Sequence, residues 1–413
     1  MIGMDPEFAL VSRKTGLAKS AHQFLGEDKI QCYFGSTNKG KAMPNMGDDR
    51  ILGSEADRDG PAVEVRSLAT TDCRDNVIPY MASAMREVQL RMIKKKLDAT
   101  HFLSTAPVFT LTAATLKNAP ENVSEFGCNP DIDAYSLQPK SPELGVGDRR
   151  RYTGGHLHAS AYQFKENDPE SHARHVILMD YFIGLPLVAI LGEKFRAGEA
   201  ERRNFYGQAG SYRVGTGYGH LEYRVPSGRI MLSPIIPYWA LGLMKMLVSS
   251  EASTLLKRVA SEVPPNLVVS AINNHDVDMA EKLYPEIFKL HHRYDRNERI
   301  QNKVSGGGGV STGPRFFETV VDVLVAGNKA GLTWNDDVVH NWGLYPDYEP
   351  MHHAYWGISS AMTGQCDELI FPQRPLLKEF IPSDVIYTKP IYTHPTKGGA
   401  KKFVSPDAKN WFL

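Results

Sequence analysis

The chain opens on an alternation. Ile2, Met4, Phe8 and Leu10 fall on one side of an extended segment, Asp5 and Glu7 on the other, which predicts a half-buried strand with an acidic face. Residues 61–66 repeat the pattern, with Val63 and Val65 inward and Glu64 and Arg66 sharing the opposite face. From Tyr152 to Tyr162, behind the Gly154-Gly155 pair, a third strand sets His156 and His158 on one face and Leu157 on the other. In 219–228, Leu221, Tyr223 and Val225 oppose Glu222 and Arg224.

A period near 3.6 marks the helices. An amphipathic one runs from Asp72 to about Lys96, with Ile78, Met81, Met85, Val88 and Met92 as its apolar stripe. His172 to Leu191 is apolar all round and reads as core. Tyr238–Val263, Asp278–Ile300 and a segment capped by Thr312-Gly313-Pro314 are also read as helical. Between these, Val11 to Gly60 is polar and Gly-rich and reads as hairpins and loops, Phe126 to Asp131 is a turn, and Arg149-Arg150-Arg151 is a solvated charge run. Arg202 to Arg213 is a Gly-punctuated loop carrying three arginines. His291 and His292 are adjacent on a helix, do not face each other, and are not read as a metal site. Gly306 to Gly309 follows no clear strand and is not read as a phosphate loop.

The chain has 413 residues, with Lys+Arg and Asp+Glu both at 47, so no global charge draws it to nucleic acid or an anionic membrane. Cys32, Cys73, Cys128 and Cys366 form no Cys-x-x-Cys pair, which argues against a zinc ribbon or disulfide framework and fits a reducing compartment. No signal segment or bilayer-length apolar run is read, so a soluble cytoplasmic protein is expected.

The strand pairs change the picture when taken together. Asp5 with Glu7, Glu64 with Arg66, His156 with His158, and Glu222 with Arg224 each lie two apart on the polar face of a strand. Side by side in one curved sheet, they would line a single surface. Carboxylates gathered that way repel without a cation. Oxygen donors with one or two imidazoles favour Mg²⁺ or Mn²⁺ over Zn²⁺. The interleaved arginines fit a highly anionic ligand, with a nucleoside triphosphate as the obvious one.

The ordered set Gly3-x-Asp5-Pro6-Glu7-Phe8, Val63-Glu64-x-Arg66, Gly154-Gly155-His156-x-His158, Arg203…Tyr206-Gly207…Gly210…Tyr212-Arg213 and Leu221-Glu222-Tyr223-Arg224 resembles a known family. It is similar to the carboxylate–amine ligases (amidoligases) of the glutamine synthetase-like superfamily, of the compact type found in phages and bacteria. The resemblance covers about Met1 to Arg229. It implies an α+β fold: a glutamine synthetase-like catalytic domain over 1–265, with a curved, mainly antiparallel sheet and helices on its outer face. Residues 266–413 would be a helical and irregular extension or part of the same domain.

The activity implied is ATP-dependent amide formation through an acyl phosphate. The resemblance makes Asp5, Glu7, Glu64, His156 and Glu222 metal ligands, and His158, Arg224 and Arg203 nucleotide contacts. Arg66, Arg213 and Arg224 become the catalytic arginines, Arg203 sharing with Arg213 the candidacy for the phosphoryl group or substrate carboxylate. The loop Gly207–Gly217 is expected to shield the intermediate from water. Cofactors would be ATP and Mg²⁺ or Mn²⁺, and partners a small-molecule or peptide carboxylate and an amine, with no nucleic acid or membrane.

Asp5 stands where the superfamily usually has Glu, and only Glu64 is evident on the second strand, where two acids are usual. No separate N-terminal small domain is read, so a ring assembly is not expected. Two other readings stay open: a metal-dependent hydrolase built on the His-x-His strand, and a catalytically silent binding or assembly protein with this fold.

Overall fold

β1 (Ile2–Ser12) has neighbours along both edges, and this decides its place. On one side its first half pairs antiparallel with β11 (Gly155–Ser160); on the other Glu7 and Phe8 pair with β5 (Ala62–Ser67). Its second half pairs with β2 (Ala18–Lys19) and β6 (His101–Ser104). A computed structural model describes residues 2–25, 29–34, 51–67, 74–117, 131–140, 148–161, 164, 168–214, 219–249, 252–302, 314–330, 334–342, 344, 391–396 and 399–404.

Beyond these neighbours the sheet adds β3 (Ile30–Phe34) and β4 (Ile51–Asp59) on one flank. On the other it adds β8 (Asp131–Asp133), β9 (Pro139–Lys140), β12 (Ser211–Val214) and β13 (His220–Tyr223). The order is β3-β4-β5-β1-β11-β13-β12-β8-β9, in an 11-stranded sheet that includes β2 and β6. Every pairing in it is antiparallel. Two short antiparallel pairs stand apart: β7 (Val108–Thr110) with β10 (Arg150–Tyr152), and β14 (Ile391–Thr396) with β15 (Gly399–Val404).

One face of the sheet is the wall of the core. Met4, Phe8, Val63, Val65, Leu157, Ala159, Tyr212, Leu221 and Tyr223 point into it, and all are buried. Helices Arg74–Lys94, Pro169–Met179 and Ile235–Ser249 pack on that wall, and Pro265–Asn273, Val277–Asn302 and Pro314–Lys329 pack in turn on Leu185–Leu191. The molecule is thus a mixed α/β fold with a large antiparallel sheet and helices behind it. Along β1 the other face changes character: past Glu7, Ala9 and Val11 join a small second core with Ala18, Ala62, Phe109 and Leu111.

The four alternating strands form at β1, β5, β11 and β13. The polar 11–60 segment, read as hairpins and loops, contains the antiparallel pair β3 with β4, and 51–59 is a nine-residue strand. Its Glu55, Asp57 and Asp59 lie on the same sheet face as Glu64, which makes a real strand read as a polar run. The arginine run is not a solvated loop either. Arg150 to Tyr152 pair with β7, and Arg151 is buried, donating to the carbonyls of Asp148 (2.8 Å) and Arg150 (2.7 Å). Arg202 and Arg203 belong to a helix, Arg196–Arg203, and the expected helix 238–263 is two, Ile235–Ser249 and Ala252–Glu262. Gly306–Gly309, His352, His353 and Trp356 lie outside the described residues.

Residues 169–191 correct one expectation. By length and composition they form a helix apolar enough to cross a membrane, although most of it is buried within this fold. Asp168 caps its start, accepting the Ser171 N–H at 2.9 Å, and Gly192, at φ +74°, ends it. A π-helical turn at Asp180–Gly184 interrupts it.

Candidate functional site

The strand registers bring the polar pairs together. Asp5 is opposite His156, Gly3 opposite His158, Glu7 opposite Glu64, His158 opposite Glu222, and Glu222 opposite Arg213. Facing residues of an antiparallel pair share a face. Asp5, Glu7, Glu64, Arg66, His156, His158, Arg213 and Glu222 therefore occupy one face of five consecutive strands. Arg224, just past β13, extends that ladder by donating its N–H to the Ser211 carbonyl at 3.0 Å.

At the centre is the His156 ring. Its Nδ1 lies 3.3 Å from Asp5 Oδ1 and 3.3 Å from Glu222 Oε1. His158 Nε2 sits 3.0 Å from Asp5 Oδ2, while its Nδ1 shares a hydrogen bond with His220 Nε2 at 3.0 Å. Arg224 pairs with Glu222, and Arg66 with Glu64. The Gly154 N–H donates to Glu7 Oε2 at 2.7 Å.

Electrostatics divide these carboxyls. Burial works to raise Asp5, but the His158 and His156 imidazoles override it and hold the carboxyl far below the usual range. Glu222 is likewise lowered, burial being outweighed by His156 and Arg224. Glu7 is pushed up to about 8 by burial and the Asp59 charge, against the Gly154 N–H. Glu64 is raised well above its ordinary value by burial and by Asp5, with Arg66 opposing. Burial and Arg224 lower His156, whereas Asp5 overcomes burial to raise His158.

Two donor groups emerge: Asp5, His156 and Glu222 in one, Glu7, Asp59 and Glu64 in the other. Within each, the ligand atoms lie within 4.8 Å of one another. The donors fit hard divalent cations, with five carboxylates and one imidazole. Glu7 and Glu64 are both raised when only protein charges surround them, an imbalance that a bound cation would relieve.

The backbone around the site is set by close approaches. Gly155 donates to the Pro226 carbonyl at 3.0 Å, and a Cβ there would stand 2.3 Å from the Ser227 carbonyl oxygen. Arg202, 1% exposed, donates to the carbonyls of Arg224 (3.2 Å), Val225 (2.9 Å) and Pro226 (3.1 Å), pinning the chain just after Glu222. Behind the sheet, Tyr223 and Tyr135 donate to Asp180 at 2.8 and 3.0 Å.

Of the residues singled out in the sequence, Arg203 does not join this face. It is 2% exposed, pairs with Glu199 at 3.1 Å, and acts electrostatically on Tyr223 and Asp180, which lie on the core side. Its helix, unlike a loop, points it inward. Sequence reasoning missed three residues that the fold brings in. Asp59 completes the second donor group from β4, where the single-acid expectation had looked only at β5. His220 was legible, two before Glu222 on the same strand face. Asp131, read as the end of a turn, begins β8. Of the Gly207–Gly217 loop, residues 215–217 lie outside the described residues.

No curated protein matches the chain. Residues 146–304, which carry His156, His158, Glu222 and Arg224, match the family described as Phage phiEco32-like COOH.NH2 ligase-type 2, and the match supports a carboxylate–amine ligase family for this chain.

Proposed function

We propose that the protein is an ATP-dependent carboxylate–amine ligase with a glutamine synthetase-like catalytic fold. The observation that carries this is the pair of donor groups on one sheet face, flanked by Arg66, Arg213 and Arg224. A hydrolase needs the donors but gives three arginines no task. A phosphoryl transfer needs both.

In this reading a substrate carboxylate oxygen attacks the γ-phosphorus of ATP and ADP leaves. The amine nitrogen then attacks the acyl carbon, phosphate departs, and the nitrogen gives up its proton as the amide forms. Asp5, His156 and Glu222 would hold one divalent cation, Mg²⁺ or Mn²⁺, and Glu7, Asp59 and Glu64 another. Such cations, when bound, neutralise charge on the phosphate oxygens. The protein's own part is orientation and charge. Arg213 and Arg224 place guanidinium donors beside the first group to meet the transferring phosphoryl. Arg66 does the same beside the second. His158, steadied between Asp5 and His220, offers a nucleotide contact. Arg203 supports the structure through Glu199 and is assigned no nucleotide.

The test is phosphate release from ATP and Mg²⁺ against pools of carboxylic acids and amines. Turnover should require ATP, Mg²⁺, an acid and an amine together, yielding ADP, phosphate and amide in equal amounts. Metal-dependent amide or phosphoester hydrolysis without nucleotide would favour the hydrolase. Absence of any Mg²⁺-dependent nucleotide binding would favour a silent binding protein.

A further inference from the structure

Asp131 joins the two arginines at the edge of the site. β8 pairs with β12 through Ser211↔Asp133 and Tyr212↔Ile132, a register that sets Asp131 beside Arg213. Its Oδ1 lies 3.2 Å from Arg213 Nε and 2.9 Å from Arg224 Nε. All of this is enclosed: Asp131 is buried, Arg224 is buried, and Arg213 is mostly covered.

Two guanidinium groups repel at such range, more strongly where water is scarce. One carboxylate oxygen between them removes that repulsion. It sits within 3.2 Å of the Nε of each group, an ion pair and not a directed hydrogen bond, and so draws both planar groups toward one point. Arg224 meanwhile reaches Glu222 and, at 3.4 Å, His156 Nδ1. A continuous chain of contacts thus runs from Arg213 through Asp131 and Arg224 to the first donor group.

We propose that Asp131 is a positioning residue that holds Arg213 beside Arg224 as one seat for a phosphoryl group. It touches no substrate itself. The role rests on the ligase reading above, since it assumes a phosphorylated ligand at this face.

The sign of one measurement separates positioning from simple charge balance. If Asp131 only offsets positive charge, Asp131→Asn adds to the net positive charge and tightens anion binding. If it positions the pair, the arginines separate and binding weakens despite the added charge. Titration calorimetry of the full chain with inorganic pyrophosphate and Mg²⁺ reads this without turnover.

The expected result is affinity about tenfold weaker in Asp131→Asn, the scale of one charge-assisted contact, with kcat/KM for ATP falling at least as far. Circular dichroism should show the wild-type fold. Equal or tighter pyrophosphate binding overturns the proposal. Should Asp131→Asn not fold, Asp131→Glu carries the test by keeping the charge one methylene further out: weaker binding is expected, and wild-type affinity overturns the assignment. Wild-type protein that binds pyrophosphate but never turns over ATP sinks the ligase reading and leaves the seat standing. Wild-type turnover that Asp131→Asn leaves unchanged sinks this proposal alone.

Discussion

Glu222 is approached from two sides: by His156 from β11, and by Arg224 just past the end of its own strand. Its charge matters more than its shape. Glu222→Gln preserves size and an acceptor for Arg224 but removes the anion that a divalent cation needs. Turnover should fall to background in a phosphate-release assay, while the thermal midpoint stays within a few degrees of wild type. Wild-type rates in that variant would remove the first donor group from the site.

Asp180 is a different kind of residue, one whose titration belongs to stability. Burial pushes its carboxyl up to about 7, with the Tyr223 and Tyr135 hydroxyls opposing. The folded state therefore holds a proton that the unfolded chain, with an ordinary carboxyl near pH 4, has released. The linkage sign follows: stability from this group is greatest below about pH 4 and is lost as pH rises toward 7, on the order of 4 kcal/mol in all. In urea titrations across that range, wild type should lose stability relative to Asp180→Asn as pH rises. A constant difference between the two would show that Asp180 does not titrate there.

At the scale of elements, β11 depends on the glycines that precede its histidines. A Cβ on Gly155 would meet the Ser227 carbonyl oxygen at 2.3 Å and Ile230 Cγ2 at 2.6 Å. Gly155→Ala should therefore push β11 away from the segment after β13, costing about 1–3 kcal/mol by overpacking and lowering activity further than stability. Urea denaturation beside a turnover assay checks both. The same element shows why part of the site was legible. His156 and His158 sit on a strand whose other face is apolar, so a period of two exposes them. Asp59 was hidden because β4 carries charges on its site face and reads as a loop. Arg203 misled for the converse reason: its stretch was read as a Gly-punctuated loop, and the resemblance gave it a phosphoryl or carboxylate role, but the helix Arg196–Arg203 turns it toward Glu199. Register, which no single strand encodes, decided which acids meet.

For the whole molecule, residues 334–342 are bound into the core by specific contacts. Trp342 is buried and its indole N–H donates to the Met231 carbonyl at 2.6 Å. Asp336 pairs with Arg229 at 2.6 Å, and Asp337 with Arg13 at 2.9 Å. The segment thus clasps both the turn after β13 and the far end of β1. Trp342→Ala should cost about 3–5 kcal/mol, read as a lowered urea midpoint, and inactivation on heating should track unfolding. Survival of full stability would mean the 334–344 segment is an appendage.

The central strand has a consequence for how the protein comes into being. β1 is made before its partner across the Asp5–His156 contact, which emerges about 150 residues later. During synthesis the β1 edge that β11 will cover waits unpaired, exposed to wrong pairings on the ribosome, while β2, β5 and β6 emerge earlier to meet its other contacts. Glu7, Asp59 and Glu64 are complete once residue 64 has been translated, whereas Asp5, His156 and Glu222 are complete only after residue 222, so an ion in the latter group would mark the joining of β1, β11 and β13.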